Sequence, residues 1–178
     1  MKNDIKKYDN SFLESNFISR VDHIIMLLIN GISVRNLNNV KHYLSNDVYN
    51  KFNNLITDYK DKKVFRKFDE ANIKSSEILN YSIDNDIINI KVNIITRYMD
   101  YFVNENNEYI DGIDNQRVER SNIVTFSKKL VNLDSNNIIR CKNCGNSLNI
   151  NSTNICKYCN SKIDIIDYDY IITDISLF

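Results

Sequence analysis

A change in hydrophobic period, from about 3.6 residues to 2, divides this sequence into a helical first third and a strand-rich remainder. The first third predicts three amphipathic helices, of which the first begins at Ser11 and ends near Gly31. Ser11 is its predicted N-cap, and Glu14 completes a capping box three residues later. A short second helix is predicted over residues 37–44, and a third begins at Ser45.

The period of 2 predicts four strands in the rest of the chain. Apolar and polar residues alternate over residues 79–83, 88–94, 118–130 and 166–172. Turn-forming residues between 104 and 112 precede the third stretch, and Ile175 extends the fourth. Helices followed by an antiparallel sheet indicate an α+β fold in which the helices cover one face of the sheet.

A cysteine cluster separates the third and fourth predicted strands. The pattern C-x2-C-x11-C-x2-C uses all four cysteines of the chain, Cys141, Cys144, Cys156 and Cys159. Two such pairs can hold one zinc ion in a tetrahedron of thiolates, with zinc–sulfur distances of about 2.3 Å. Four protein ligands leave no open position for water or substrate, so the spacing predicts a structural zinc ribbon, inserted at residues 137–163.

The charged residues around the predicted ribbon bear on whether it binds nucleic acid. Basic and aromatic residues that could contact phosphate and bases are Arg140, Lys142, Lys157, Tyr158 and Lys162. Acidic residues follow closely, namely Asp164, Asp167, Asp169 and Asp174. The whole chain is also balanced, with 23 Lys plus Arg and 23 Asp plus Glu. Nucleic acid is therefore an unfavoured partner, and any charged partner must be bound by a local patch.

The first ten residues and the apolar runs predict the compartment. Residues 1–10 are charged and lack the apolar stretch of a signal peptide, which predicts a flexible N-terminus in the cytoplasm. The longest apolar run, residues 24–29, is shorter than the roughly 20 residues needed to cross a membrane. We expect no transmembrane segment and a cytoplasmic protein, with any membrane contact peripheral and at the inner face.

A basic cluster after the third predicted helix is the best candidate for a partner or lipid contact. It consists of Lys60, Lys62, Lys63, Arg66 and Lys67, with Phe65 and Phe68 among them. Basic residues near an anionic leaflet contribute about 1 kcal/mol each, and inserted aromatic rings add apolar burial. The alternative is a solvated connection between helix and sheet.

Several segments together carry a family resemblance over residues 11–178. They are Asp100-Tyr101 with Gly112, Thr125-Phe126, residues 141–145 (CKNCG), residues 156–161 (CKYCNS) and residues 170–175 (YIITDI). Their order resembles the bacterial members of the Tim44-like family, relatives of the matrix-facing domain of the mitochondrial inner-membrane import tether. The sequence departs from the family pattern with Val124 and Tyr170 in place of Trp, Lys128 in place of Arg, and Asn143 where a proline is common nearby.

The resemblance implies a cystatin-like or nuclear-transport-factor-like cone with a zinc ribbon before its last strand. It also implies a non-enzymatic module that docks proteins, and in mitochondria membrane lipid, while recruiting a chaperone to a translocation pore. We therefore expect a zinc-containing adaptor or scaffold in protein transport that binds a protein partner or membrane surface. The expected domains are residues 1–10, an α+β domain of residues 11–136 and 164–178, and the ribbon.

An enzyme or small-molecule-binding cone is the main alternative, because such folds can enclose a pocket under the sheet. His23 and His42 could act as acids or bases, and Asp100 could pair with Tyr98 or Tyr101. The sequence lacks a Gly-rich phosphate loop, a G-x-S-x-G turn and an H-E-x-x-H motif. We therefore expect no catalytic residues.

Overall fold

Two helices precede a four-stranded antiparallel sheet in the computed structural model, which describes residues 5–10, 12–130, 140–141, 143–148 and 155–176. The helices are α1 (Glu14–Ser33) and α2 (Asn46–Asp61), with a 3₁₀ turn at Lys41–Tyr43 between them. The strands are β1 (Val64–Asp84), β2 (Ile87–Asn104), β3 (Tyr109–Lys129) and β4 (Ile171–Ile175), in the order β1-β2-β3-β4. The predicted α+β class, with helices before a curved antiparallel sheet, is confirmed.

Helix α2 begins where the sequence predicts. The Ser45 hydroxyl accepts a hydrogen bond from the Val48 backbone N–H at 3.3 Å, which satisfies one of the free donors of the first turn. Its apolar face is buried at Val48, Phe52, Ile56 and Tyr59. The cap and the apolar period therefore both indicate the start and the buried face that this helix has in the structure.

Helix α1 differs from its prediction at both ends. It begins at Glu14 with Leu13 in the N-cap position, while Ser11 lies outside the described residues. It continues past Gly31 to Ser33, so Gly31 does not end the helix. The small size of Gly31 serves packing instead, since a Cβ there would lie 3.0 Å from the Asn36 carbonyl oxygen. The predicted short helix at residues 37–44 contains only the 3₁₀ turn.

The strands are longer than the alternating stretches that predicted them. Strand β1 starts at Val64, inside the basic cluster, and its pairing with β2 is interrupted by register shifts that break the alternation. Strand β3 starts at Tyr109, so Gly112 lies within a strand and not in a turn. The predicted fourth strand is shorter, because Ile165–Asp167 form a 3₁₀ turn and β4 begins at Ile171.

One hydrophobic core fills the space between the helices and the sheet. The alternating residues Ile88, Ile90, Val92 and Ile94 of β2 are all fully buried and share a cluster with the apolar faces of both helices. The apolar run at residues 24–29 belongs to this core, since its members are buried or pack against it. Within the part of the chain that the structure describes, no helix is long and apolar enough to cross a membrane.

The described part of the N-terminal decapeptide packs against this core. Ile5 is 1% exposed and Asp9 is 7% exposed. Asp9 forms an ion pair with Lys128 of β3 at 2.7 Å. Within the N-terminus expected to be flexible, Ile5 and Asp9 are therefore buried against the domain.

Candidate metal centre

Two backbone knuckles of the same construction present the four cysteines. In the first, the Gly145 N–H donates to the Cys141 carbonyl oxygen at 2.8 Å; in the second, the Asn160 N–H donates to the Cys156 carbonyl oxygen at 2.8 Å. Gly145 and Asn160 both have positive φ, 72° and 59°. Glycine adopts this conformation freely and Asn tolerates it, so the residue after each C-x2-C pair permits the turn.

The four sulfur atoms lie close enough together to surround one metal ion, and two of their separations match those of a tetrahedral site. All four are within 4.8 Å of one another. The Cys141–Cys159 and Cys144–Cys156 Sγ pairs, each joining the two knuckles, are 3.7 Å apart. A tetrahedron with metal–sulfur distances of about 2.3 Å has sulfur–sulfur edges of about 3.8 Å. The cluster can therefore hold one metal ion with all four positions taken by protein.

Ser161 adds polar contacts to two of the sulfurs. Its hydroxyl lies 3.0 Å from Cys159 Sγ and 3.3 Å from Cys141 Sγ. The hydrogen bond to Ser161 lowers the pKa of Cys159 to about 6 and is the largest cause that lowers the pKa of Cys141. Burial has the opposite effect on Cys156, whose pKa rises to about 11. A bound cation would favour the thiolate at every position, Cys156 included.

A small apolar cluster and one hydrogen bond join the cysteine site to the chain that follows it. Ile163 is buried with Cys141 and Cys156, and Leu148 and Tyr168 pack against them. The Tyr168 hydroxyl donates to the Arg140 carbonyl oxygen at 3.1 Å. Two other ribbon residues, Ile155 and Tyr158, are about half exposed, at 53% and 54%. Lys142, also considered for nucleic-acid contact, lies outside the described residues.

The members of the basic cluster differ in exposure and in partners. Lys60, Lys62 and Lys63 are exposed, and Lys62 pairs with Asp58 at 2.8 Å. Two cations lie near the Phe65 ring, Lys67 Nζ at 5.5 Å and the guanidinium of Arg35 at 3.4 Å from its centroid. Arg35 was absent from the predicted cluster because it follows α1, thirty residues earlier in the sequence.

Arg66 is withdrawn from that surface by an ion pair. Its Nε and Nη2 donate to the two Asp100 carboxylate oxygens, both at 2.8 Å, and the side chains are 14% and 12% exposed. Although burial opposes the charged form, the hydrogen bonds to Asp100 raise the pKa of Arg66. The charge of Arg66 is therefore paired within the domain, which disfavours the predicted contact of Arg66 with lipid or partner.

Of the tyrosines considered as hydroxyl partners of Asp100, Tyr98 is fully buried, and burial together with the nearby Asp100 charge raises the pKa of Tyr98. Asp100 is held by Arg66, and the Tyr101 hydroxyl donates instead to Asp69 at 2.6 Å, which raises the pKa of Tyr101 to about 12. His23 is exposed. His42 packs on the Tyr43 ring, and partial burial with nearby cations lowers its pKa.

Comparison with known proteins gives one family and a distant structural likeness. A family model for the Tim44-like domain matches residues 2–138, well over half of the chain. Among solved structures, the crystal structure of the intermembrane space region of chloroplast protein ARC6 aligns with a TM-score of 0.45 and 5% identity, covering 89% of this chain and 94% of that one. No curated protein matches the sequence.

Proposed function

This chain belongs to the Tim44-like family, and on that basis we propose that it is a non-enzymatic, zinc-containing adaptor that binds a protein partner or a membrane surface in protein transport. The family match over residues 2–138 is the observation that carries the proposal. The scaffold itself, two helices on a curved antiparallel sheet, supplies a rigid body with exposed strands and an attached ribbon on which partners can dock.

Zinc is the metal we assign to Cys141, Cys144, Cys156 and Cys159. Support comes from the four-thiolate donor set and the 3.7 Å sulfur separations. Its function is structural, because four thiolates complete the coordination shell and the apolar cluster around Cys141, Cys156 and Ile163 is small. In this assignment the metal holds the ribbon in one conformation and takes no part in chemistry.

Side-chain pairing supports an adaptor over an enzyme. The acid in the strongest catalytic candidate, Asp100, accepts two hydrogen bonds from Arg66. The inner face of the sheet is covered by the apolar faces of α1 and α2 in one buried cluster. Large apolar residues are instead exposed on the outside, including Tyr109 at 53% and Ile110 at 48%. Exposed apolar residues on a filled scaffold favour contacts with macromolecules.

A peripheral membrane contact is assigned to the four lysines of the basic cluster, of which Lys67 is half-buried and the others are exposed. Lys60, Lys62, Lys63 and Lys67, with Arg35 beside Phe65, would meet anionic headgroups from the cytoplasmic side. Arg66 is excluded from this surface because Asp100 neutralises it.

Affinity capture of the tagged, zinc-loaded protein from its native cells tests the adaptor function. Wild type is compared with a Cys141→Ser variant, and captured proteins, lipids and nucleic acids are quantified together. Enrichment of transport, chaperone or membrane proteins with wild type is expected, and loss of the same proteins with the variant would locate the contact at the ribbon. Recovery of the wild-type protein without any partner would contradict the adaptor function and favour the small-molecule alternative.

A further inference from the structure

The N-terminal segment, defined as residues 5–10 with Phe12, lies on the domain through three anchoring side chains. The Asp9 N–H donates to the Ile5 carbonyl oxygen at 2.9 Å, and the Phe12 N–H donates to that of Asp9 at 3.0 Å. These turns place the side chains of Ile5, Asp9 and Phe12 against the domain, with exposures of 1%, 7% and 5%. Tyr8, between them, is 52% exposed. The segment therefore supplies its own local structure and contacts the domain through side chains.

Residues of α1, β3 and the chain before β4 form the surface beneath the segment, which we call the anchor groove: Phe17, Lys128 and Tyr170. The Phe12 ring lies 5.4 Å from the Phe17 ring and 6.3 Å from that of Tyr170. Lys128 Nζ donates to Asp9 Oδ2 at 2.7 Å, and the Tyr170 hydroxyl donates to the same oxygen at 3.2 Å. Two aromatic rings thus contact Phe12, and two polar donors bind the Asp9 carboxylate.

Lys128 gives this groove its chemical selectivity. Its side chain is only 9% exposed and lies 5.4 Å from the centroid of the Tyr170 ring. Asp169 is also nearby, but its carboxylate is paired with Arg20 of α1. A buried ammonium that loses its carboxylate partner is strongly unfavourable, so whatever replaces the segment must bring another carboxylate.

We propose that the anchor groove is a docking site for a partner peptide with one carboxylate between two large apolar side chains, spaced as in Ile5, Asp9 and Phe12. The chain's own N-terminal segment occupies the groove as an internal stand-in and is displaced when the partner binds. Charge complementarity with Lys128 and the seated segment both identify this occupant. The inference deepens the proposed adaptor function by naming the chemistry of its partner.

A fluorescent peptide with the sequence of residues 1–13 is the probe for this site. Its binding to the full chain is measured by fluorescence anisotropy for wild type, Asp9→Ala, and Asp9→Ala with Lys128→Met. Asp9→Ala weakens the internal competitor, so this variant should bind the peptide at least about tenfold more tightly than wild type. The added Lys128→Met change should abolish that gain. Asp61→Ala, which removes an exposed carboxylate elsewhere, is the matched control and should behave as wild type.

A second peptide, which carries Asp9→Asn, separates recognition of the charge from non-specific hydrophobic binding. It should bind the Asp9→Ala chain about tenfold more weakly than the unmodified peptide does. If Asp9→Ala does not fold, hydrogen exchange is measured on isotope-labelled wild type with excess unlabelled peptide. Displacement should then speed exchange of the chain's own residues 5–10 and leave α2 unchanged.

Equal binding of both peptides to the Asp9→Ala chain, equal binding to that chain and wild type, or unchanged exchange in residues 5–10 would each overturn the proposal. A wild-type dimer formed by exchange of the segment would also overturn it, because the occupant would then be a second copy. None of these results affects the capture experiment, since an adaptor can bind its partner through another surface.

Discussion

The backbone of Gly112 passes so close to Asp100 that a Cβ at residue 112 would lie 2.4 Å from the Asp100 carbonyl oxygen. Gly112 has a φ of 110°, and its register partner across β2 and β3 is Tyr101. This contact gives a physical reason for a segment that carried the family resemblance. Glycine is required where β3 pairs with β2, the strand that positions Asp100 for Arg66.

Replacing Gly112 with alanine should destabilise the fold by about 2 kcal/mol or more, because the new methyl group meets backbone atoms at a strained φ. Urea unfolding followed by circular dichroism measures the change. Gly145→Ala is the matched control: its φ is 72°, but no atom lies within 4 Å of an added Cβ. An equal loss in both variants would show that backbone conformation alone, and not the contact with Asp100, is responsible.

The Arg66–Asp100 ion pair should show strong coupling in a double-mutant cycle. Removing either partner, as in Arg66→Met or Asp100→Leu, should cost about 3 kcal/mol because the other charge stays buried. The double variant should recover most of that loss. Lys62→Met, which breaks an exposed pair with Asp58, is the control and should leave the unfolding midpoint unchanged. Additive effects of the two core substitutions would indicate that the charges do not interact in solution.

The cysteine site should bind one zinc ion per chain, and Cys144→Ser should abolish it. Elemental analysis of purified protein measures the metal content, and hydrogen exchange measures the order of the ribbon. We expect rapid exchange at residues 140–163 in the variant, while α1 and β2 stay protected because their core is separate from the ribbon cluster. Tyr158→Ala, an exposed change in the second knuckle, should keep the metal. Full zinc content in Cys144→Ser would refute the assignment.

Reversal of three lysine charges in the basic cluster should abolish binding to anionic vesicles if the cluster contacts lipid. The test variant carries Lys62→Glu, Lys63→Glu and Lys67→Glu, and flotation with phosphatidylserine vesicles measures binding. A control with the same change in net charge, Lys91→Glu, Lys157→Glu and Lys162→Glu, alters exposed positions on the sheet and ribbon. Loss of binding in both variants would show that net charge, and not this cluster, governs vesicle binding. Unchanged binding in the test variant would exclude the contact.

The pH dependence of stability should change when Asp169 is replaced by Asn. Burial raises the pKa of Asp169 against the attraction of Arg20. The folded state then binds this proton more tightly than the unfolded state, so the Asp169 contribution to stability is lost as the pH rises through its folded pKa. Wild type should lose stability relative to Asp169→Asn as the pH rises above about 4. A relative gain over that range, measured by urea unfolding, would mean that Arg20 outweighs burial.

Local chemistry in the sequence predicted some parts of this molecule well. The Ser45 cap, the alternation at residues 88–94 and the C-x2-C spacing each depend on neighbours a few residues apart, and each agrees with the structure. The early start of β1 was missed because its basic residues resemble a solvated linker, although pairing with β2 makes them a strand. The Arg66–Asp100 ion pair was missed because the two residues are 34 positions apart, beyond any periodic pattern.

The ion pair between Asp9 and Lys128 was missed for the same reason, since 119 residues separate the two. The sequence signal that could have found it was Lys128 itself, a basic residue that continues the alternation of the apolar Val124 and Phe126. A buried cation requires an anion, but the sequence does not specify which of 23 acidic residues supplies it.

Contacts between the start and the end of the chain set the order in which this domain can be completed during synthesis. Asp9 bonds Tyr170 across 161 residues, and Arg20 bonds Asp169 across 149. The ribosome therefore presents both helices and three long strands before the residues that close the fold exist. Loop closure over such separations slows folding. The nascent chain must keep an unfinished apolar core in solution until β4 emerges, and we expect it to depend on chaperones during that interval.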